Sequence, residues 1–157
     1  MQNIKPGLTT LSDALAIAFS DIAIIAKTEE RPISDCFGAV LREDVVAGVA
    51  VPSVDNSAMD GYALRHSDLG SLDGSVPVVG VSLAGHPYAG TLPKGAAVRI
   101  ATGAAIPEGA DCVVIQENVT ANSDETVIAI KQNVLDRTAL YQNIRWAGED
   151  IKTGDVV

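Results

Sequence analysis

Aromatic residues make up only 4% of this 157-residue chain, with one Trp, three Tyr and two Phe. Any core must therefore be packed mainly by Val, Ile, Leu and Ala, and a hydrophobic content of 47% supplies them. Positive charge is scarce too: 11 Lys and Arg against 20 Asp and Glu give a formal net charge of −9. Binding to nucleic-acid phosphates or to an anionic membrane surface runs on Lys and Arg, so neither partner is expected. An anionic substrate would need a metal ion or a local arginine to offset that field. Of the two cysteines, Cys36 and Cys112, neither has a second Cys or His at metal-ligand spacing. Far apart and only two in number, they give a disulfide-stapled secreted domain little support, and free buried thiols in a reducing cytoplasm are expected. No run is long or apolar enough to span a bilayer. The apolar stretch 14–26 is preceded by Asp13, interrupted by Asp21 and lacks a small-x-small cleavage site, so it is not a signal peptide and a cytoplasmic location is expected. Strand–helix–strand alternation, G-x-G-x-x-G and a P-loop are all missing, which excludes a nucleotide-binding α/β domain.

What is present reads as a short helical arm followed by many short strands. Leu11, Leu15, Ala18, Phe19, Ile22, Ile25 and Ala26 recur at steps of three and four, which predicts an amphipathic helix over about 11–27. Thr9, Thr10 or Ser12 caps it, and Asp13 favours its dipole. Ile17 and Ile24 broaden the apolar face, as expected of a helix that packs on two neighbours or on another subunit. Ser34 to Gly38 reads as a short turn of helix, and 40–46 as a strand. Further strands are expected from Tyr62 onward, over 75–83, 96–101, 112–116 and 126–131; that over 112–116 is a nearly continuous apolar run expected to be buried on both faces. Turn residues separate them. The fold class is therefore α+β, mainly β: an N-terminal amphipathic helix plus a β-rich module of short, irregular strands. Composition breaks near 47 and 143 divide the chain into an arm made of 1–46 and 144–157 and an inserted β module over 47–143. Ending on Val156-Val157 just after a turn, the arm reads as a strand cut short.

The stretch that concentrates chemistry is Pro52-Ser53-Val54-Asp55-Asn56-Ser57-Ala58-Met59-Asp60-Gly61-Tyr62-Ala63. A single turn needs one or two residues that bond their own backbone or tolerate positive φ; this segment has two acidic turn elements with a serine between them. Such spacing turns the backbone twice and projects two carboxylates and a hydroxyl from one loop. That set suits a hard cation such as Mg²⁺ or activation of a polar substrate. On spacing alone, a surface turn entering a strand is the plainer reading. No second His accompanies His86, and Ser57 lacks a His/Asp relay, so a serine hydrolase is not indicated. The single tryptophan, Trp146, reads as a packing residue.

The twelve-residue string resembles the N-terminal signature of the molybdopterin molybdenumtransferase family (MoeA, and the E domain of gephyrin). Three more stretches match that family in the same order. Ala84-Gly85-His86-Pro87-Tyr88-Ala89-Gly90 is similar to its A-G-x-P-Y-x-G turn. Arg99-Ile100-Ala101-Thr102-Gly103-Ala104, followed by Pro107-Glu108-Gly109, resembles R-I-x-T-G-A-x-x-P-x-G. Asn143-Ile144-Arg145-Trp146-Ala147-Gly148-Glu149-Asp150 resembles N-I-R-x-x-G-E-D.

The resemblance implies the following. The family inserts molybdate into adenylylated molybdopterin in a Mg²⁺-dependent step that releases AMP and yields molybdenum cofactor. Its members are homodimers whose N-terminal β module reaches across to a site in a later pterin-binding α/β domain. The T-G-D-E-L, Gly-Gly and P-G-x-P stretches of that later domain have no counterpart here, so the chain corresponds to the N-terminal portion and is expected to be inactive alone. Asp60 matches the signature's catalytic acid and is the expected Mg²⁺ ligand. Thr102 and Asp150 are the other expected catalytic residues, and Arg145 and Ser57 are expected to bind substrate. For Arg145 and Asp150 the residues equally allow an ion pair that pins the two ends of the chain, and Asp55, Asn56 and Ser57 are expected to shape the loop. The alternative is a non-catalytic dimerisation or interaction module in which the 11–26 helix face matters most.

Overall fold

The computed structural model describes residues 9–23, 25 and 27–157. Two compact units are formed, Met1–Glu43 and Asp44–Val157.

In the first unit, α1 runs over Leu11–Ser20. Thr10 Oγ1 accepts the Asp13 amide at 3.0 Å, which satisfies one of the donors a helix start leaves open. The helix stops seven residues before the expected end near 27, and positions 24 and 26 lie outside the described residues. The Ser20 hydroxyl donates back to the Ile17 carbonyl at 2.8 Å, an alternative to helical pairing. Beyond it, the β-branched Ile22 and Ile25 favour helix weakly, and no packing compensates. No residue of α1 is buried: Leu11, Leu15 and Phe19 all stand exposed. A 3₁₀ turn at Ile33–Asp35 follows, and Gly38 adopts φ +78° close behind it, as the sequence indicates. The strand expected over 40–46 is not formed. Only Val46 makes a bridge, with Val156, while Val40 and Leu41 are exposed without a neighbouring strand to pair.

The second unit is built on short strands: β1 Asn56–Ser57, β2 Gly61–Leu64, β3 Ser75–Ser82, β4 Ala97–Ile100, β5 Cys112–Ile115, β6 Val119–Ala121, β7 Val127–Ile130 and β8 Ile144–Arg145. A one-turn helix, α2, Gln132–Leu135, was not legible in the sequence. Six strands form one sheet in the order β5-β2-β4-β3-β7-β6, and β1 pairs β8 separately. The chain is thus α+β and mainly β, as expected. All pairs in the sheet are antiparallel except β3 with β4, which run parallel and are joined by the long 83–96 connection that such a crossover requires. The register of that pair shifts between Val78 and Val81. Gly80 lies at the shift, where a Cβ would stand 2.5 Å from Tyr88 Cε2. A missing side chain thus lets the Tyr88 ring fold the 84–90 turn back against the strand.

Both faces of the central sheet are covered, because successive side chains of a strand point to opposite sides. Tyr62 and Leu64 of β2 join Cys112 and Val114 of β5, Val76 and Ile128 in one cluster. Ala63, Val113 and Ile100 form another, and Leu92, Ala96 and Val98 a third. The core is aliphatic, with Tyr62 its one buried aromatic. Segments at both ends of this unit run antiparallel: the Val51 amide donates to the Ile151 carbonyl at 2.8 Å, and Val157 to Val45 at 2.9 Å. Cys112 is buried, but Cys36 is only half-buried, so the expectation of two buried thiols holds for Cys112 alone.

Gly61 is where the sheet has least room: a Cβ there would sit 2.1 Å from the Val114 carbonyl oxygen, a backbone atom that cannot move aside. Gly61→Ala is expected to lower stability by about 2 kcal/mol or more, measured by urea unfolding; an unchanged midpoint would refute this packing. Burial, reinforced by the nearby Asp111 charge, pushes the Cys112 thiol up to about 12. A thiol reagent at pH 8 should therefore label Cys36 in the native protein and reach Cys112 only after unfolding.

Candidate functional site

The 55–60 loop is clasped from both sides. The Ser57 amide donates to the Ala104 carbonyl at 2.9 Å, and its carbonyl accepts the Gly103 amide at 2.8 Å. On the other side Ser57 pairs in register with Ile144, and the Ala58 amide donates to the Asn143 carbonyl at 2.9 Å. Asp55 Oδ1 accepts the Ala147 amide at 2.8 Å. The loop, the 102–105 turn and the 143–147 segment thus form one hydrogen-bonded layer, although they are far apart in sequence. The 84–90 turn joins through Ser82, whose hydroxyl donates to the Ala105 carbonyl at 2.9 Å and accepts the Tyr88 amide at 3.4 Å.

Within this layer Asp60 and Thr102 meet. Asp60 Oδ1 accepts both the Thr102 amide, at 2.7 Å, and the Thr102 hydroxyl, at 2.9 Å. Both residues are exposed. The backbone hydrogen bond from Thr102 first and its hydroxyl second hold the Asp60 carboxyl below the usual carboxylate range; they outweigh a smaller desolvation cost, and the Arg99 charge adds least. Asp60 is therefore ionised at neutral pH, and its Oδ2 has no hydrogen-bond partner among the described residues. Asp60 and Thr102 are exposed, come from separate motifs and were both expected in the site.

The other expected residues are placed differently. Ser57 is buried, and its hydroxyl stays within the loop, donating to the Met59 carbonyl at 2.6 Å. Asp55 and Ser57 shape the loop, as expected. Arg145 Nη2 lies 2.6 Å from each carboxylate oxygen of Asp150, with Glu149 3.6 Å from its Nε. The Asp150 bond, first of all, raises the Arg145 pKa. These two expected site residues are thus brought together as a local ion pair, five residues apart and half-exposed on the segment beside the loop; the pair does not join the two ends of the chain. Trp146 packs edge-on against Tyr141, with ring centroids 5.0 Å apart. His86 is exposed, whereas His66 is half-buried, with Nε2 3.1 Å from the Thr138 carbonyl.

Two residues around Asp60 were not among the expected site residues, although Arg99 opens one of the family-like stretches. Arg99 lies in a strand with no local sign of its role; its guanidinium donates to the carbonyls of Gly61 and Ile100, each at 2.9 Å, and to Gln116 Oε1 at 2.6 Å. Gln116 also donates its amide to the Asp60 carbonyl at 3.1 Å. No sequence pattern marks it beyond its position at the end of an apolar run.

Among the described residues, no group of three or more His, Cys, Asp or Glu side chains is close enough to hold a metal ion. Mg²⁺ usually keeps its waters and takes one or two carboxylates together with substrate phosphates. Asp60, ionised and with one oxygen unengaged, fits as a single such ligand and not as a complete metal site.

The β module thus presents an ionised carboxylate beside a hydroxyl on an exposed loop. Residues 9–157 match the family model for the MoeA N-terminal region (domain I and II). A molybdopterin molybdenumtransferase from Haemophilus influenzae is 41% identical over 150 residues, covering 96% of this chain and 36% of that protein. One from Synechococcus elongatus is 33% identical, covering 94% and 36%. A crystal structure of the molybdopterin biosynthesis moeA protein from Pyrococcus horikoshii OT3 superposes with a TM-score of 0.78 at 34% identity, covering 93% of this chain and 38% of its own. The chain belongs to the MoeA N-terminal region family. It spans about a third of the length of these relatives.

Thr102→Val removes the hydroxyl donor but keeps the amide, the stronger cause of the shift. The Asp60 carboxyl should then titrate higher by part of the way towards 3.8, followed by ¹³C NMR of the carboxyl carbon. Because the folded value is depressed, the stability this contact adds is present above pH about 3.8 and fades as pH falls through the folded value. Thr102→Val should be less acid-sensitive in that window than the parent. An unaltered Asp60 titration would refute the contact.

Proposed function

We propose that this chain acts as the N-terminal part of a molybdopterin molybdenumtransferase, inserting molybdate into adenylylated molybdopterin with release of AMP. The observation that carries the reading is the Asp60–Thr102 pair: residues of two distant family motifs joined by two hydrogen bonds on an exposed loop. Relatives bearing that enzyme's name match nearly the whole chain. In this reading Asp60 is catalytic, held ionised and oriented by Thr102, whose hydroxyl can also turn towards an oxyanion. Mg²⁺, bound to Asp60 and to substrate phosphates, would neutralise phosphate charge. Arg145 and Asp150 act together as a charged pair at the margin of the site, and Ser57 holds the loop in shape. The pterin-binding part of the site is supplied by sequence beyond this third of the enzyme, so this chain alone is inactive.

We further read residues 1–46 and 144–157 as an arm and 47–143 as an inserted module; the Val46–Val156 bridge is consistent with that reading, while Val51–Ile151 joins the 144–157 segment to the module. The acidic charge disfavours nucleic acid. No helix among the described residues is long and apolar enough to cross a membrane, and we take the enzyme to be cytoplasmic. The exposed face of α1 favours a homodimer. It also supports a second reading, in which the chain is an interaction module without a catalytic role.

Asp60→Ala in the full-length enzyme separates the two. The first reading expects cofactor synthesis to fall by at least about 100-fold with the dimer intact by light scattering. Near-normal synthesis would overturn it and favour the second.

A further inference from the structure

Arg99 and Gln116 surround the backbone of Asp60 in a way the roles assigned so far do not use. Two successive carbonyls flank the turn where the loop enters β2. The Asp60 carbonyl accepts the Gln116 amide at 3.1 Å, and the Gly61 carbonyl accepts Arg99 Nη1 at 2.9 Å. Arg99 Nη2 then closes the ring by donating to the Gln116 side chain at 2.6 Å. The guanidinium also lies over the Tyr62 ring, 5.3 Å from its centroid, a cation–π contact that adds to its placement. Gly61 has no space to shift, since the Val114 carbonyl stands against it. The peptide units on either side of Gly61 are therefore fixed by groups from the ends of β4 and β5. Arg99 is three residues before Thr102, so one strand end both holds the backbone of Asp60 and supplies the donors to its side chain.

We propose that Arg99 and Gln116 form a clamp that positions the Asp60 carboxylate against Thr102, making both residues positioning residues for the reaction proposed above. The clamp rests on that reading for its functional meaning and on geometry for its existence. Its chemistry needs a planar fork. Nη1 reaches two carbonyls and Nη2 reaches the Gln116 amide oxygen, directions a single ammonium cannot serve from one point. Charge alone is therefore insufficient, and Lys should not replace Arg99.

The test compares Arg99→Lys, Arg99→Gln and Gln116→Leu, with Asp60→Asn alongside. In the 157-residue chain, the readouts are amide hydrogen exchange at Thr102 and the Asp60 carboxyl titration by ¹³C NMR. In the full-length enzyme, they are kcat and KM for cofactor synthesis. The clamp predicts that Arg99→Lys behaves like Arg99→Gln. Thr102 amide exchange should accelerate at least tenfold, the Asp60 titration should move up, and kcat should fall about 10- to 100-fold with KM within twofold. Gln116→Leu removes the side-chain oxygen that accepts Arg99 Nη2 but keeps the arginine and the backbone amide bonded to the Asp60 carbonyl; it should show the same pattern more weakly and remains informative if the arginine variants do not fold. Parent-like Thr102 exchange and Asp60 titration in both Arg99→Lys and Gln116→Leu would overturn the clamp. So would a lowered melting temperature with kcat and both NMR readouts intact, which marks a purely structural role. Full activity of Asp60→Asn would instead overturn the functional reading, and the NMR readouts would still decide the clamp.

Discussion

Ser57 forms backbone hydrogen bonds with the 103–104 turn and pairs in register with Ile144. Much of the architecture of the second unit follows from that double pairing. Two residues of strand cannot be stable alone, because a short ladder gains too little to offset the ordering of its backbone. Here the segment is fixed because it is shared between the main sheet's 101–105 turn and the 143–147 segment. The buried Ser57 hydroxyl closes on Met59 and completes the loop, leaving no polar atom of that side chain unsatisfied. The next residues, Asp60 and Gly61, then enter β2 with little freedom left.

A loop held this way suits chemistry better than a free one. A carboxylate on a mobile loop spends its time in many orientations, whereas Asp60 receives two donors from Thr102 while its backbone is held by Gln116 and Arg99. The same donors that orient it also keep it ionised, so geometry and electrostatics act in one direction. In a chain of net charge −9 this matters for an anionic substrate. Asp60 adds negative charge at the loop, Arg99 lies nearby as a compensating cation, and Arg145 is already committed to Asp150 and Glu149. The arrangement presents a fixed hard oxygen, with Arg99 as the cation nearest to it.

The sequence showed the strands of the second unit well because aliphatic runs bounded by Gly, Asn, Asp and Pro carry both period and punctuation. The stretches 112–116 and 126–131 lie within a residue or two of β5 and β7. Asp60 and Thr102 were legible as residues, but their contact spans 42 positions, which no local pattern encodes. Ser57 was expected from the resemblance to bind substrate; its burial and its bond to Met59, which only the fold shows, give it a loop-shaping part. Gln116 and Arg99 carried no signal of partnership, since a strand-end amide and a mid-strand cation each have many ordinary uses. The helix over 11–27 and the strand over 40–46 were over-read for a different reason. Both patterns describe faces without a partner among the described residues: α1 has no buried residue, and in 40–46 only the end pairs, Val45 and Val46 with the 156–157 segment.

The central claim is that Thr102 holds the Asp60 carboxylate through a real and persistent hydrogen bond. A scalar coupling across that bond, from the Thr102 amide nitrogen to the Asp60 carboxyl carbon, measures it in solution without reference to any activity. The account predicts a detectable coupling at neutral pH that disappears as the carboxyl is protonated. No coupling at neutral pH, together with Thr102 amide exchange at the rate of an unfolded chain, would contradict it.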